Sequence, residues 1–395
     1  MDISKEVAAL NPELVVLRRD FHQHPELGFE EFRTADRVTD YLKSCGLEPR
    51  RVAKTGVVSV IEGQEHGQVL LLRADMDALP IQEENDLSFR SVNPNKMHAC
   101  GHDGHTAMLL VAAKILSQHR DQLRGKVVLV FQPNEENAGA LPMIQDGLLE
   151  NYPADACFGL HLWPSIPTGK MGITAGPVMA GMFQFVLQIT GKGGHTGYPH
   201  QTVDPVLCAA NIIQSLQMIQ TREISVFEPT IIMIGRISGG TAGNIVPDSV
   251  TMEGTARYLH EDANNAGQNI QERIERLVVG ICRAHRTDYS LTVESSSLAV
   301  VNDNKLVEIV RSAALQTVGD EKNIVRNVST AGEDFSEFSS RIPGVFYFLG
   351  CGDGSEGTSF PHHHPRFNID EAALKIGVEM HVRTALAYLH KGDDL

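Results

Sequence analysis

The chain has 395 residues, of which 42% are hydrophobic and 21% charged, as is usual for a globular protein. Its length exceeds the roughly 250–300 residues that one hydrophobic core supports and therefore predicts two domains. The formal net charge of -15 disfavours nucleic acids and anionic membranes as partners, because both repel an acidic surface. No apolar run is long enough to span a bilayer, and the N-terminal sequence lacks the apolar core of a secretory signal.

The six cysteines are scattered and form no CxxC pair. Five of them are interpreted as reduced, mostly buried thiols: Cys45, Cys157, Cys208, Cys282 and Cys351. This usage predicts a cytoplasmic location. Cys100 is treated separately, because it lies among histidines.

The first part of the chain alternates helical segments with short apolar runs. Pro12 predicts the first turn of a helix that runs to His22, and a second helix is predicted over 34–45, with Gly46 just past its end. An Ala/Leu-rich segment predicts a helix over 106–116. The predicted strands are 57–61, 69–72, 126–131 and 156–160. This alternation indicates a mostly parallel sheet covered on both faces.

A change of pattern at residue 183 predicts an inserted second domain over 183–296. Phe183, Phe185 and Leu187 alternate with residues that are mainly polar, as in an antiparallel strand with one solvent-exposed face. The following elements complete a β-α-β-β-α-β order: a helix that opens at Asp204, strands at 231–237 and 249–257, a helix around Ile274 and a strand around Leu291. That order is the ferredoxin-like unit. The segments 305–317, 345–349 and 371–390 then predict helix, strand and helix, so the first domain is discontinuous, over 1–182 and 297–395.

Polar residues follow several strands of the predicted parallel sheet, where ligands of such sheets bind. The residues expected at this rim are Asp75, Asp77, Glu135, Glu136, His161 and the segment 98–105. In an extended stretch the side chains of Glu135 and Glu136 would point to opposite sides. One could then bind a metal while the other moves protons; the alternative is a solvated loop.

Cys100 and His102 offer a thiolate and an imidazole, which together with carboxylates suit Zn, Co, Ni or Mn. The alternative is a buried core thiol and a satisfied core histidine. Asp77 is interpreted as orienting a ligand rather than binding metal. The remaining polar residues of the segment are interpreted as structural or as orienting partners: His98, Asp103 and His105. Asp75 could bind metal, orient a ligand or cap its loop.

Two further sets of residues are candidates for the site. At least one histidine of the run His362–His364 is predicted to reach the metal centre. In the inserted domain, His195 follows a glycine-rich turn and could donate to a developing oxyanion, or could be a surface histidine. Asn244 could hold substrate from a mobile loop. Arg257 could pair with a substrate carboxylate or with an acidic neighbour.

Taken together, these motifs resemble the M20 metallopeptidase family, and within it the amidohydrolase branch of N-acyl-amino-acid, hippurate and auxin-conjugate hydrolases. The matching segments are HQHPELGFEE at 22–31, RADMDALP at 73–80, MHACGHDGHTA at 97–107, FQPNEE at 131–136, GLHLWP at 159–164, GKGGHTGYPH at 191–200, AGEDFS at 331–336 and HHHPRFNIDE at 362–371. The resemblance covers nearly the whole chain. It implies an α/β catalytic domain and a smaller lid that often mediates dimers, so a homodimer or homotetramer is expected.

The resemblance also implies a centre of two divalent ions (Zn, Mn, Co or Ni). The implied ligands are Cys100, His102, Glu136, His161 and one histidine near the C-terminus, which is His363 by its place two residues before Pro365, with His362 and His364 as alternatives. Glu135 would be the general base. His195, Asn244 and Arg257 match positions linked to oxyanion and substrate binding.

The sequence departs from the family pattern in two places. Asn137–Ala140 replaces a longer glycine run after the glutamate pair, which could reshape one wall of the pocket. Asp75 stands where typical peptidases carry a histidine ligand, which argues against peptide substrates. The implied reaction is hydrolysis of the amide bond of a small N-acyl amino acid. The alternatives are a dipeptidase or carboxypeptidase of the same superfamily and a non-catalytic, metal-stabilised binding protein.

Overall fold

The computed structural model describes residues 2–352, 354 and 357–390. In chain order its strands are β1 (Arg50–Val52), β2 (Gly56–Glu62), β3 (Glu65–Asp75), β4 (Arg124–Gln132), β5 (Ala156–Pro167), β6 (Met171–Gly172), β7 (Gly176–Met179), β8 (Gly181–Thr190), β9 (Gly194–His195), β10 (Thr230–Ser238), β11 (Ile245–Val246), β12 (Ser249–Tyr258), β13 (Asp288–Ser297), β14 (Val300–Asn302), β15 (Ile324–Val325) and β16 (Gly344–Gly352). Its α-helices are α1 (Ile3–Gln23), α2 (Phe32–Ser44), α3 (His102–Gln118), α4 (Ala140–Gln145), α5 (Leu148–Asn151), α6 (Pro205–Met218), α7 (Ala263–His285), α8 (Asn304–Val318), α9 (Ser336–Ser339) and α10 (Ala372–Leu389). Among these helices, none combines the length and the apolar character needed to cross a bilayer.

Residue contacts divide the chain into two compact units. The first unit comprises Met1–Gly176, Val301–Val328 and Glu337–Leu395, and the second comprises Pro177–Val300 and Ser329–Ser336. The sequence pattern placed the borders at 182/183 and 296/297, and it gave no sign that the short segment Ser329–Ser336 joins the inserted part of the chain.

The first unit is built on a mixed sheet with the strand order β1-β2-β4-β3-β5-β16-β6-β15. The central neighbours β4, β3, β5 and β16 are parallel to one another, as the alternation of strands and helices predicted. The strands β1 and β2 instead add an antiparallel edge. The carboxyl ends of the central strands therefore meet at one edge of the sheet.

Helices cover both faces of this sheet. Consecutive residues of a strand point to opposite faces, and Leu70, Leu71 and Leu72 of β3 are all completely buried. The helices α1, α3 and α10 pack against one another, and α3 and α10 also contact β3. The core that results holds the first turn of α3 in place beside the end of β3.

The start of α1 differs from the prediction. The helix begins at Ile3 rather than at Pro12, and Asp2 caps it by accepting a hydrogen bond from the backbone N–H of Lys5. A proline inside a helix costs about 3 kcal/mol. The helix nevertheless continues through Pro12 because it buries an apolar stripe on both sides of that residue: Ile3, Val7, Leu14, Leu17 and Phe21.

The second unit has the predicted β-α-β-β-α-β order, formed by β8, α6, β10, β12, α7 and β13. Its antiparallel sheet has the order β10-β12-β8-β13, which is the ferredoxin-like arrangement. Phe183, Phe185, Leu187 and Ile189 of β8 are all buried, whereas Gln184, Gln188 and Thr190 between them are exposed. The two-residue strands β9 and β11 form a separate small pair.

Candidate metal centre

Four segments of the first unit bring chemically active side chains to the end of the parallel sheet. The helix α3 starts at His102, four residues before the predicted helix, after Gly101 in a left-handed conformation with φ of 90°. The strand β3 ends at Asp75, and a turn follows the end of β4. The fourth segment is β5, where His161 lies inside the strand and not after it as predicted. The pairing of β5 with β3 ends at Gly159, whereas its pairing with β16 continues through His161, which lies opposite Phe348.

The glutamate pair is not extended, in contrast to the prediction. Glu135 and Glu136 lie in a 3-10 turn over Glu135–Asn137, flanked by left-handed residues at Asn134 (φ 54°) and Ala138 (φ 62°). The side chain of Asn134 stabilises this turn by donating to the carbonyl oxygen of Asn137 at 3.0 Å. Successive side chains of a 3-10 helix diverge by about 120°, so the two carboxylates still point in different directions.

The predicted ligands of the first unit lie together. Donor atoms of Cys100, His102 and Glu136 all fall within 4.8 Å of one another. Cys100 Sγ is 3.5 Å from His161 Nε2, and His363 Nε2 is 3.2 Å from Glu136 Oε1. The structure thus brings all five residues to one place.

Hydrogen bonds fix which nitrogen of each imidazole faces this cluster. His102 Nδ1 lies 2.9 Å from the carbonyl oxygen of Asp77 and 3.2 Å from its Oδ1, and His161 Nδ1 donates to the carbonyl oxygen of Leu162 at 2.8 Å. In the neutral rings, the Nε2 atoms therefore carry the lone pairs that face the cluster. His102 Nε2 has no hydrogen-bond partner among the described residues although it is buried. An orphaned imidazole nitrogen beside a thiol and a carboxylate is what a divalent ion would satisfy, so the residues fit a metal.

The electrostatics of the cluster also favour a cation. Burial, Glu136 and Glu135 raise the pKa of the Cys100 thiol well above its ordinary value. Burial alone would lower the pKa of His102, but the carboxylates of Asp75 and Asp77 outweigh it and raise that pKa to about 10. The site therefore concentrates negative potential, and a bound cation would stabilise the thiolate form of Cys100.

The three histidines at 362–364 occupy different environments. His363 adopts a left-handed conformation with φ of 64°, and its backbone N–H donates to the carbonyl oxygen of Ala99 at 2.8 Å. This hydrogen bond places its ring beside Glu136. His364 instead accepts a hydrogen bond from the N–H of Arg366 at 3.0 Å. A ring nitrogen of His362 lies within 4.8 Å of donor atoms of Cys100 and His161, whereas His363 lies 3.2 Å from Glu136 Oε1.

His105 also lies within ligand distance of His102 and His161, but both of its nitrogens are engaged. Its Nδ1 is 2.6 Å from Asp75 Oδ1, and its Nε2 accepts from the backbone N–H of Leu162 at 2.9 Å. Asp75 in turn accepts from Arg73 Nη1 at 2.6 Å. These contacts favour structural roles for His105 and Asp75.

Asp77 connects two of the predicted ligands. One of its carboxylate oxygens contacts His102, and the other accepts from the backbone N–H of Glu136 at 3.1 Å. Asp103 faces away from this cluster and pairs with Arg18 at 2.9 Å. His98 is buried with neither ring nitrogen bonded to a described residue, and burial lowers its pKa to about 4.

Glu31 was missed as a site residue. It is buried, and its carboxylate accepts from the backbone N–H of Asn134 at 2.9 Å and from Thr55 Oγ1 at 2.7 Å. Burial raises the pKa of Glu31 to about 7. Gly28 packs so tightly on the same turn that a Cβ there would lie 1.8 Å from Asn134 Oδ1. The motif at 22–31 was the available signal, and its role is to hold the turn that precedes Glu135.

The second unit carries the other candidates, and it brings two of them together. His195 on β9 pairs with Ile245 on β11, and the N–H of Thr196 donates to the carbonyl oxygen of Asn244 at 3.2 Å. His195 Nδ1 accepts from the N–H of Gly197 at 2.9 Å, so its Nε2 carries the proton in the neutral ring. Arg257 on β12 donates to the carbonyl oxygen of Thr330 at 2.8 Å.

Comparison with known proteins agrees with this geometry. Residues 71–387 match the peptidase family M20/M25/M40, and the chain belongs to that family. The chain is 39% identical over 390 residues to the putative amidohydrolase YhaA of Bacillus subtilis, with 98% of this chain and 97% of the relative covered. It is 37% identical over 388 residues to N-acetylcysteine deacetylase of the same organism, with coverages of 96% and 98%. It is 39% identical over 382 residues to the IAA-amino acid hydrolase ILR1-like 2 of Arabidopsis thaliana, with coverages of 95% and 85%.

A solved structure with the same fold is that of the YXEP protein of Bacillus subtilis, described as a dinuclear metal binding peptidase from the M20 family. The TM-score is 0.84 and the identity 35%, with 97% of this chain and 99% of that chain covered. Family membership and these relatives make the chain a hydrolase that acts on amide bonds.

Proposed function

We propose that the protein hydrolyses the amide bond of N-acyl amino acids and releases a carboxylic acid and a free amino acid. The observation that carries the proposal is the cluster of Cys100, His102 and Glu136, with Glu135 Oε2 3.9 Å from the orphaned Nε2 of His102. The names of two relatives, N-acetylcysteine deacetylase and IAA-amino acid hydrolase, support this substrate class.

Five side chains would hold two divalent ions: Cys100, His102, Glu136, His161 and His363. The mixture of thiolate, imidazole and carboxylate suits Zn, Mn, Co or Ni. His363 is preferred to its neighbours because it lies against Glu136. When bound, such ions supply Lewis-acid activation of water and of the amide carbonyl.

Glu135 performs the proton transfers in this proposal. Its side chain is 10% exposed, so it borders the buried cluster and can still meet a substrate. Glu135 takes a proton from the attacking water and later delivers it to the leaving amine nitrogen. Asp77 keeps His102 and Glu136 in place during both transfers through its two carboxylate oxygens.

The second unit supplies the proposed substrate contacts. His195 would donate its Nε2 proton to the developing oxyanion, in line with the tautomer set by Gly197. Asn244 would bind substrate, and Arg257 would pair with the substrate carboxylate. These three assignments rest on the family resemblance.

The test is hydrolysis of acetyl, benzoyl and indole-acetyl amino acids by chelator-stripped protein with Zn, Mn, Co or Ni added back. We expect metal-restored release of the free amino acid. Glu135→Gln should abolish release and leave metal content unchanged, whereas Glu150→Gln, at an exposed position of the same unit, should change neither. Cleavage of dipeptides alone would favour the peptidase alternative. No cleavage at all would favour a metal-stabilised binding protein.

We further propose a homodimer or homotetramer in the cytoplasm. The free state of all six cysteines supports a reducing compartment. Light scattering of the purified chain tests the assembly, and fractionation of the native host tests the location.

A further inference from the structure

The backbone of Leu162 is a junction for three histidines around the proposed metal centre. Its carbonyl oxygen lies 2.8 Å from His161 Nδ1 and 2.9 Å from His362 Nε2. Its N–H lies 2.9 Å from His105 Nε2. Leu162 itself is completely buried, so water does not compete for these hydrogen bonds.

These contacts determine the tautomers of all three rings. A carbonyl oxygen only accepts, so His161 Nδ1 and His362 Nε2 must both carry protons. A backbone N–H only donates, so His105 Nε2 is unprotonated and its Nδ1 proton goes to Asp75 Oδ1 at 2.6 Å. His161 is thereby left with its Nε2 lone pair directed at Cys100 Sγ, 3.5 Å away.

His362 is held in this position by its aromatic neighbours. Its ring centroid lies 4.7 Å from that of Trp163 and 5.3 Å from that of Phe367, with which it is stacked at 30°. Since Nε2 is committed to the Leu162 carbonyl, this nitrogen is not a spare ligand. Both lone pairs of that oxygen are then occupied, one by His161 and one by His362.

We propose that His362 is a positioning residue that acts through Leu162: its hydrogen bond fixes the carbonyl oxygen that orients His161 toward the metal centre. The proposal rests on the proposed function only in its use of that metal centre. His105 holds the same residue from its N–H side, so Leu162 is clamped between α3 and the loop that carries His363.

His364, two residues after His362, offers a matched control. His364 stacks on Phe360 with ring centroids 4.5 Å apart and accepts from the N–H of Arg366, without a hydrogen bond to Leu162. His364→Phe therefore removes one imidazole of the same run and leaves the junction intact. His362→Phe removes the donor but keeps an aromatic ring, and His362→Gln keeps an N–H donor at a similar reach.

The experiment titrates the chelator-stripped full-length chain with Co2+ and follows the thiolate-to-cobalt absorption. We expect His362→Phe to weaken Co2+ binding about 10–100-fold, the effect typical for loss of an orienting partner. The number of ions bound per chain should not change. The Co2+ affinity of His362→Gln should lie within about threefold of the wild-type affinity, and the affinity of His364→Phe should equal it. Thermal unfolding of each stripped variant checks the fold; if the Phe variant does not fold, His362→Asn, which is too short to reach the carbonyl, replaces it.

Two results would overturn the proposal. Equal Co2+ affinities for His362→Phe and His364→Phe would show that the Leu162 junction does not orient a ligand. Loss of one bound ion in both the Phe and Gln variants would make His362 a ligand instead. A wild-type chain that binds Co2+ but cleaves no amide would refute only the proposed reaction, whereas one that binds no Co2+ would overturn both.

Discussion

The candidate residues of the two units are held in different ways. In the first unit, His102 is 1% exposed and His161 is 4% exposed, and each has one ring nitrogen bonded to a buried backbone carbonyl. In the second unit, His195 and Asn244 are exposed and lie on a two-residue strand pair and its adjoining loop. Among the described residues, they form hydrogen bonds with nearby or paired backbone groups.

The buried residues of the first unit are preorganised to a greater extent than the exposed residues of the second unit. A buried polar group that loses its partner costs about 1–3 kcal/mol, whereas an exposed group can turn to water instead. Substitutions of the buried candidate residues in the first unit should therefore change metal affinity and stability. Substitutions of the exposed candidate residues in the second unit should change catalysis alone.

The largest effect is expected at the centre of the buried cluster. Cys100→Ala removes the proposed thiolate ligand and should weaken Co2+ binding by more than about 100-fold, beyond the usual cost of losing an orienting partner. Loss of the thiolate absorption and of amide hydrolysis should accompany it. Cys45→Ala, which alters a half-buried thiol at the end of α2, is the control and should behave as wild type. Retention of full affinity by Cys100→Ala would remove this residue from the centre.

His195→Ala tests the exposed side of the comparison. Removal of one oxyanion donor should lower kcat by about 10^2–10^3-fold. Metal content, thermal stability and KM should stay at wild-type values, because the ring is exposed. The exposed His200 provides the matched control, as His200→Ala. A drop in metal content would break the proposed separation between the two units.

Asp77→Ala should reduce Co2+ affinity about 10–100-fold, since both carboxylate oxygens orient proposed ligands. Isothermal titration of the stripped protein measures the change. Asp86→Ala, at an exposed carboxylate of the same unit, should have no effect. Equal affinities for the two variants would show that His102 and Glu136 hold their positions without Asp77.

Glu31→Ala should lower the free energy of unfolding by about 1–3 kcal/mol, because it leaves the N–H of Asn134 without its acceptor. Amide hydrolysis should fall as well, since the turn carries Glu135. Glu31→Gln keeps an acceptor and should retain most of both properties. Urea unfolding and hydrolysis rates of the two variants provide the comparison, and identical behaviour would exclude the hydrogen bond as the cause.

The smallest effect concerns a buried histidine apart from the proposed ligands. Burial lowers the pKa of His381 to about 3, against 6.5 for the ordinary group. Below pH 6.5 the unfolded chain therefore binds a proton that the folded chain does not, so stability falls as the pH falls. Between pH 7 and pH 5 this group should remove about 2 kcal/mol from the free energy of unfolding.

His381→Leu should abolish that share of the pH dependence in the stripped protein. His66→Leu, at an exposed histidine, should leave the pH dependence as in wild type. Urea unfolding at the two pH values measures both. An unchanged slope in His381→Leu would show that the folded protein accommodates the charged ring.

Much of the fold followed from local pattern. The helix predicted over 34–45 is α2 (Phe32–Ser44), and the strand predicted over 126–131 lies within β4 (Arg124–Gln132). Such elements can be predicted from the sequence because their apolar periodicity and cap residues lie within the element itself or directly beside it. The ferredoxin-like order of the second unit followed from the same kind of pattern.

Predictions from local pattern failed where the structure depends on contacts between residues that are distant in the chain. The start of α1 depends on packing against α3 and α10, which outweighs the cost of Pro12. The turn at Glu135 depends on Glu31, 103 residues before Asn134. The position of His161 inside β5 depends on pairing with β16, where His161 lies opposite the distant residue Phe348.

Sequence patterns were sufficient to predict the family, the order of the elements and the residue types that gather at the end of the parallel sheet. The packed fold was needed to show which histidine of the run 362–364 lies beside Glu136 and which ring nitrogen of His102 has no hydrogen-bond partner among the described residues. Tautomers and side-chain directions could not be predicted because single hydrogen bonds to backbone groups far away in the chain set them, such as the one between His362 and Leu162. Those bonds form only after the core has brought the segments together.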